Sequence, residues 1–372
     1  MKQLFKLTWV LLLGLLAALP AMAATPMKQN IKVGMADVAI NINIPESAGM
    51  KLENPTGLVI NSSMFENACE NFWDENAEGI LLTYDGKSIT GKVPMELSYQ
   101  WFNIILNDKA TQMDMNLLVL LSQDQANVID IDLVETEPYY KVSSNLEAYN
   151  KLNWQDWYTL AAIAQFMSNN PAYEDPLKWL PDSAYDSWKT AEKEYWGTMY
   201  TDRMKYIINF SKCNNLYVKA PAWVKNSSKW WFAAKYAMDY VAIAKMRNNL
   251  TVPEPPIEFY SFLSKIDFTY EFLTHFALQP QKVILDKILG ISAAGIKPIG
   301  DTPVKEWQAG VSKALSKAFT PTDLLLDMLA AQSYINQISE DNKALTAIQI
   351  ENVKSGFGND LAKIILNRND KK

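Results

Sequence analysis

Apolar and polar residues alternate along much of the first 150 positions of the chain. Asn41 separates Ile40 from Ile42, and Asp130 separates two further isoleucines in the same way. In an extended strand this spacing places the apolar side chains on one face and the polar side chains on the other. The pattern therefore predicts a sheet with one buried face. The predicted strands cover residues 38–44, 81–84, 88–93, 102–106, 115–121 and 128–134.

A tight turn is predicted between the second and third of these strands. Asp85 and Gly86 form a turn pair that tolerates the positive φ of a short hairpin. Gly86-Lys87-Ser88 also resembles the end of a phosphate-binding loop, but Leu81 stands where that loop needs a glycine. We therefore favour the hairpin, and the strands together favour an antiparallel sheet or sandwich.

Beyond residue 150 the apolar residues recur every three or four positions, which is typical of helices. Residues 302–303 and 320–321 are each a threonine followed by a proline, so each threonine is predicted to cap a helix and each proline to open it. Thr346 and Gln349 have the spacing of a capping box. The helices predicted before these signals cover residues 154–167, 183–210, 228–247, 256–266, 269–278 and 280–289.

The change of periodicity predicts two domains in an α+β fold. An antiparallel β-rich domain is expected over residues 24–148, and a larger all-helical domain over residues 149–372. Residues 1–23 are a predicted signal peptide, because two lysines precede an apolar run and a small-residue cleavage site. No later apolar run is long enough to cross a bilayer, so we expect a periplasmic protein without membrane insertion after signal cleavage.

Composition and charge narrow the classes of partner. The formal net charge is −6 and the sequence has no basic stripe, which argues against binding to nucleic acid or to anionic membranes. Cys69 and Cys213 are the only cysteines. In an oxidising compartment they are a candidate disulfide, although two buried unpaired thiols are the interpretation that we favour.

Residues with catalytic potential are few. His275 is the only histidine, so a zinc site with two histidines is excluded, and no serine lies in a G-x-S-x-G elbow. An acidic cluster could serve glycoside hydrolysis or calcium binding, but we favour a solvated acidic edge. The sequence thus indicates no catalytic residue, cofactor or metal site, and we lean against an enzyme. The members of the acidic cluster are Glu66, Glu70, Asp74, Glu75 and Glu78.

Eight of the twelve tryptophans lie between residues 154 and 231. Aromatic residues at helical spacing are usually part of a core, since they bury large areas, and this is the interpretation that we favour. A surface that stacks on sugar rings or peptide aromatics is the functional alternative. Because Trp230 and Trp231 are adjacent, they cannot point the same way on one helix. Together with Trp223 they are the candidate aromatic contact surface.

Three segments near the C-terminal end resemble a known family. They read IGDTPVKEWQAGVSKAL (299–315), FTPTDLLLDMLAAQSYINQI (319–338) and ILNRND (365–370). They are similar to the helical segment of long-form TlpA-like thiol–disulfide oxidoreductases, which are exported members of the thioredoxin superfamily. FNIILNDKA (102–110) and NVIDIDL (127–133) resemble the β-domain of that family more loosely. The resemblance implies a β-domain, then a helical domain, then a thioredoxin domain.

One departure from the family changes what the resemblance implies for function. The family's activity implies a W-C-x-x-C motif that opens a helix, where the helix N-terminus lowers a thiol pKa. This chain contains no C-x-x-C and ends where that domain is expected to begin. We therefore expect a non-catalytic binding or docking module for a periplasmic client or a separately encoded thioredoxin domain. The alternatives are a truncated or split oxidoreductase that needs a separate thioredoxin domain, a periplasmic sugar- or peptide-binding protein that uses the aromatic-rich helices, and a hydrolase built on the acidic cluster.

Overall fold

The computed structural model describes a sheet followed by helices, which confirms the mixed α and β composition predicted from the sequence. The predicted signal peptide lies outside the described residues, as do the helices predicted over 154–167 and 183–210. Of the helix predicted over 228–247, only Trp230 is described, and it is helical. The structure describes residues 28–49, 51–60, 63–65, 79–111, 113–134, 140–146, 230, 256–274 and 280–372.

Eight strands form one sheet within the described residues. All six strands predicted from the alternating pattern are present, and two shorter strands add to them. The strands are β1 (Ile31–Asn43), β2 (Thr56–Ile60), β3 (Gly79–Tyr84), β4 (Ile89–Leu97), β5 (Tyr99–Asp108), β6 (Met113–Ser122), β7 (Asn127–Leu133) and β8 (Tyr140–Ser144). Their order across the sheet is β6-β5-β2-β3-β4-β1-β7-β8.

One pairing in this sheet is parallel. β1 runs parallel to β7, with Val38 opposite Asn127 and Asn43 opposite Asp132, whereas the other six pairings are antiparallel. The predicted antiparallel sheet is therefore found in part: six of the seven pairings are antiparallel, and the one parallel pairing makes the sheet mixed. An alternating sequence determines which side chains are buried but not the direction of the neighbouring strand, so the pattern could not distinguish the two arrangements.

The sheet curls until the end of β6 approaches the beginning of β1. Gln123 follows β6 and donates from Nε2 to the backbone oxygen atoms of Lys32, at 2.5 Å, and Leu97, at 2.9 Å. Lys32 also forms an ion pair with Asp124 at 2.6 Å. One face of the sheet carries the apolar half of each alternating strand, and these side chains form the core of the sheet. Members of this core include Val38, Ile40, Val59, Val93, Ile104, Val119 and Ile131.

The parallel pairing accounts for the polar residues on the other face of β1. The register of β1 and β7 sets Asn41 beside Asp130 and Asn43 beside Asp132. Each asparagine donates from Nδ2 to the facing aspartate Oδ1 at 2.7 Å. Two neighbouring strands with the same alternation thus pair apolar with apolar residues on one face, and amide with carboxylate on the other.

The hairpin predicted at Asp85-Gly86 is confirmed. Gly86 has a φ of 95°, in the region that favours glycine. The Asp85 carboxylate accepts from the backbone N–H groups of Ser88, at 2.7 Å, and Lys87, at 2.8 Å. These two hydrogen bonds hold the pKa of Asp85 below its usual value. The Gly86-Lys87-Ser88 segment is therefore a turn between β3 and β4, and the phosphate-loop alternative has no support.

Helices make up the described chain from residue 256 onward. A 3₁₀ helix over Ile257–Lys265 precedes them, and another over Ser292–Ala294 separates the second helix from the third. The helix predicted over 256–266 is a 3₁₀ helix, and the one predicted over 280–289 is found at full length. Of the helix predicted over 269–278, the described residues 270–274 are helical and residues 275–278 lie outside the described part of the chain. The α-helices are α1 (Tyr270–Thr274), α2 (Pro280–Leu289), α3 (Val304–Leu315), α4 (Asp323–Ser339), α5 (Ala347–Gly356) and α6 (Asn359–Asn369).

Of the three predicted helix starts, one is confirmed and two are corrected. Thr346 and Gln349 form the complete capping box at the start of α5. Pro303 occupies the N-cap of α3, so Thr302 is not the cap. The N-cap of α4 is Thr322, whose Oγ1 accepts from the N–H of Leu325 at 3.2 Å, so the prediction of Thr320 is wrong by two residues. Thr322 rather than Thr320 is the cap because it directly precedes the acidic first turn of α4.

The helices share one core, and that core continues onto the sheet. α4 is its centre and contacts α2, α3 and α6, while α6 also contacts β1. Met64, Phe65 and Leu97 come from the β-rich part of the chain but pack with the helices. The sheet and the helical bundle therefore meet through buried apolar side chains.

Candidate functional site

The residues selected from the sequence are mostly outside the described part of the chain. Cys69, Cys213, His275, Trp223 and Trp231 all lie there, as does the acidic cluster of residues 66–78. Trp230 is described and is 1% exposed. Its ring packs edge-on against Phe272 with the ring centroids 5.5 Å apart. Trp230 is therefore a core residue that cannot contact a partner, and the candidate aromatic surface rests on the other two tryptophans.

Helix α6 is attached to the sheet by two polar contacts. At its first turn, Asp360 Oδ1 accepts from the backbone N–H of Val33 in β1 at 3.3 Å. At its last turn, the guanidinium of Arg368 donates to Ser63 Oγ and lies 3.9 Å from the Glu96 carboxylate. The side chains of Arg368 and Glu96 are 12% and 21% exposed. Both ends of α6 are therefore fixed relative to the sheet.

The Ser63–Glu96–Arg368 cluster is held together by hydrogen bonds among its own side chains. Ser63 Oγ donates to Glu96 Oε2 at 2.6 Å, and the N–H of Met64 donates to the same oxygen at 2.8 Å. A serine hydroxyl beside a carboxylate is also the arrangement of a nucleophile and its base. Here Ser63 is buried and already accepts from Arg368, so the hydroxyl is neither accessible nor free to attack. The cluster holds α6 in place.

The buried side of α6 is an apolar stripe that ends in a cation. Leu361, Ile364 and Ile365 are buried at helical spacing, and Arg368 continues the same stripe one turn later. A charged residue in line with an apolar stripe requires a buried partner, which Glu96 supplies. This interruption of the stripe is the sequence signal from which the cluster could have been found.

The opposite side of α6 lines a shallow groove with the end of α5. This α5–α6 groove has a volume of about 440 Å³. On α6 its lining residues recur at intervals of three and four, so they form one stripe along the helix. Ala362 is buried and Leu366 is half-buried at its floor. The lining residues are Lys354, Asn359, Ala362, Lys363, Leu366, Asn367 and Asp370.

The polar side chains of the α5–α6 groove have no partners within the described part of the protein. None of the five makes a side-chain hydrogen bond or ion pair with another described residue. All five residues are exposed. The groove therefore presents donors and acceptors that no other described side chain uses. These residues are Lys354, Asn359, Lys363, Asn367 and Asp370.

One buried phenol in the helical core has a strongly perturbed acidity. Burial and the negative charge of Asp301 together raise the pKa of Tyr334 to about 12. The ring packs edge-on against Phe357 with the ring centroids 6.3 Å apart. Tyr334 therefore stays protonated at neutral pH and serves as a core residue.

Among the residues that the structure describes, no group of three or more histidine, cysteine, aspartate or glutamate side chains could hold a metal ion. No helix in the described ranges has both the length and the apolar character needed to cross a bilayer.

Comparisons of the chain with protein families, with curated proteins and with solved structures find no match. The resemblance to TlpA-like oxidoreductases therefore stays a prediction from the quoted segments. The α5–α6 groove lies within and next to the last of these segments.

Proposed function

We propose that the chain is an exported, non-catalytic docking module that binds a periplasmic protein partner through the α5–α6 groove. In this proposal residues 24–148 form the β-rich domain, and residues 149–372 form a larger helical domain that carries the groove. The observation that carries the proposal is the two-sided character of α6. One side is fixed to the sheet and to the helical core, and the other presents polar side chains that lack described partners.

A fixed helix with unused polar groups is suited to binding. Asp360 and Arg368 hold the two ends of α6, so the lining residues are already in position before a partner arrives. Such preorganisation reduces the conformational entropy that is lost on association. The half-buried Leu366 adds apolar area at the centre, as is usual in protein interfaces.

The resemblance to TlpA-like proteins suggests the class of partner. In that family the helical segment precedes a redox-active thioredoxin domain, and this chain has no C-x-x-C motif. A thioredoxin domain on a separate chain, or a client of such a domain, is therefore the partner that we propose.

Site-specific photocrosslinking tests the proposal. The photoreactive amino acid p-benzoylphenylalanine replaces Asn367 in the groove or, as the control, the exposed Lys313 on α3. We expect a light-dependent product with a single protein at position 367 and none at position 313. The captured protein is then identified by mass spectrometry and purified, and its Kd is measured by calorimetry.

The purified partner makes the test quantitative. Asn367→Trp fills the groove with a bulky ring and should weaken binding about tenfold, as expected for an obstructed interface centre. Lys313→Trp should leave the Kd unchanged. The proposal fails if both positions crosslink equally, if Asn367→Trp binds like the unmodified chain, or if the purified chain alone reduces the disulfides of insulin.

A further inference from the structure

We infer that the segment that occupies the α5–α6 groove is acidic, with apolar side chains that contact Ala362 and Leu366. The inference rests on the docking function proposed above and adds the chemistry of the occupant. The distribution of charge and of apolar surface within the groove points to this chemistry.

Two lysines from two different elements converge on the groove. Lys354 comes from the last turn of α5 and Lys363 from the middle of α6, and both are exposed. Neither makes an ion pair with a described carboxylate. Carboxylates on a partner would meet both ammonium groups without displacing an internal contact. Such complementarity determines which partners bind and how fast they associate.

The single carboxylate of the groove lies at its far end. Asp370 is seven positions after Lys363, which is about two helical turns or roughly 10 Å along the axis. At physiological ionic strength charges interact over about 8 Å, so Asp370 does not cancel the field of the lysines. The same screening limits the repulsion between an acidic partner and the net charge of −6 on the whole chain.

The groove also sets the polarity and orientation of its occupant. Asn359 is the first residue of α6, where the partial positive charge of the helix terminus adds to that of the lysines. The carboxylates of the occupant therefore belong at the Asn359 end, and a neutral or basic residue belongs beside Asp370. The apolar floor at Ala362 and Leu366 requires an amphipathic rather than a uniformly charged segment.

A labelled peptide tests this chemistry directly. The probe is a fluorescein-labelled peptide of glutamate and leucine, compared with glutamine–leucine and lysine–leucine peptides of the same length. Fluorescence anisotropy with the purified chain should show binding of the glutamate peptide, and binding at least about tenfold weaker for the other two.

Charge reversal shows whether the groove is the binding site. Lys354→Glu with Lys363→Glu should weaken binding of the glutamate peptide about tenfold or more. The matched control is Lys313→Glu with Lys317→Glu, which makes the same change of net charge at two exposed lysines outside the groove. Lys313 also occupies the last turn of its helix, as Lys354 does, so the loss of a helix-terminus interaction is matched. The control should keep the affinity within about twofold.

Several outcomes would overturn the inference. Equal loss in the two double variants would indicate general attraction by surface charge, and equal binding of the lysine–leucine peptide would exclude an acidic occupant. Thermal unfolding of both variants should match the unmodified chain, which shows that folding is intact. If the protein captured at position 367 binds the Lys354→Glu, Lys363→Glu variant as well as the unmodified chain, the acidic occupant is wrong and the docking function stands. If position 367 captures nothing, the docking function itself fails.

Discussion

Thr322 shows how one hydroxyl determines where a helix begins. Its Oγ1 accepts from the N–H of Leu325 and donates to the backbone oxygen of Phe268 at 3.2 Å, so it caps α4 and connects it to the segment before α1. We expect Thr322→Ala to lower the free energy of unfolding by about 1 kcal/mol, because the cap is lost. Urea denaturation of the purified chain measures this change.

The threonine two positions earlier is a matched control for this prediction. Thr320 precedes a proline, as a helix cap often does, but it lies before the N-cap. Thr320→Ala should leave the free energy of unfolding within about 0.5 kcal/mol of the original value. Thr322→Ser should restore most of the stability that Thr322→Ala removes. Equal effects at the two positions would show that Thr322 is not the functional cap.

The ionisation of Tyr334 makes the free energy of unfolding depend on pH in the alkaline range. Its pKa is about 12 in the folded protein and near 10.0 when exposed, so the unfolded state loses this proton first as the pH rises. The stabilisation is complete below pH 10 and is lost as the pH rises toward 12. At a pH midway between these values the loss is about 1 kcal/mol.

The measurement compares the free energy of unfolding of the original chain and of Tyr334→Phe across this alkaline range. Between pH 9 and pH 11 the phenylalanine variant should lose less stability than the original chain, since pH 11 lies roughly midway between the two pKa values. Tyr270→Phe, at a tyrosine that is 45% exposed, serves as the control and should follow the original chain. Identical pH profiles for all three proteins would contradict the assignment.

At the scale of elements, the position of α6 depends on the Ser63–Glu96–Arg368 cluster. Arg368→Met keeps the apolar stem but removes the guanidinium that donates to Ser63 and lies beside Glu96 in a partly buried site. We expect the free energy of unfolding to fall by about 2 kcal/mol, since a charge-assisted hydrogen bond and the attraction between the guanidinium and the carboxylate are both lost. Chemical denaturation measures the loss.

A surface ion pair provides the comparison for Arg368. Lys305 and Asp327 are closer together, at 3.5 Å, but their side chains are 72% and 32% exposed. Lys305→Met should therefore cost only about 0.5 kcal/mol. If this substitution destabilises the protein more than Arg368→Met, burial does not control the contribution of the two pairs and the cluster does not fix α6.

The sequence pattern predicted which segments form strands better than it predicted which strands pair with each other. The alternation around Ile40 and Ile131 predicted two strands with the correct buried faces, because burial acts on each strand separately. That these strands lie side by side and parallel depends on the path of the chain between them, to which alternation is not sensitive. β2 (TGLVI) and β8 (YKVSS) were missed because each contains only two alternating apolar residues, which is too few for a periodic signal.

The candidate site was less predictable, for a related reason. The capping box at Thr346 could be predicted because it is made within four consecutive residues. The contact of Arg368 with Ser63 joins residues 305 positions apart, so no local pattern encodes it. The α5–α6 groove depends on the angle between two helices, which is set by packing on α4 and β1.

At the scale of the whole molecule, the sheet and the helical bundle should unfold together. Met95 on β4 packs in the sheet core, whereas Leu97 on the same strand packs in the helical core. We expect Met95→Ala to cost about 3 kcal/mol. Because Leu97 of β4 is part of the helical core, the most protected amides of α4 should lose hydrogen-exchange protection by the same factor as those of β4.

Ile348→Ala is the control for the shared unfolding. Ile348 is 57% exposed on α5 and should change the protection of neither element. Hydrogen exchange followed by mass spectrometry measures both segments in one experiment. If α4 keeps its original protection while β4 loses protection in Met95→Ala, the two parts are independent units and the shared core does not couple them.

The contacts of β1 bear on how the protein reaches this structure. The hydrogen bond between Asn41 and Asp130 spans 89 positions, and the one between Val33 and Asp360 spans 327. Contacts this distant in sequence form slowly, because closing a long loop costs entropy before any contact compensates for it. β1 is made early in synthesis, yet it is completed only after α6 has been made. Both edges of β1 can pair once β4 and β7 have been made, but the N–H of Val33 gains its acceptor only with α6. Until then this end of β1 is open to other chains, so aggregation during folding is the risk against which a chaperone would have to act.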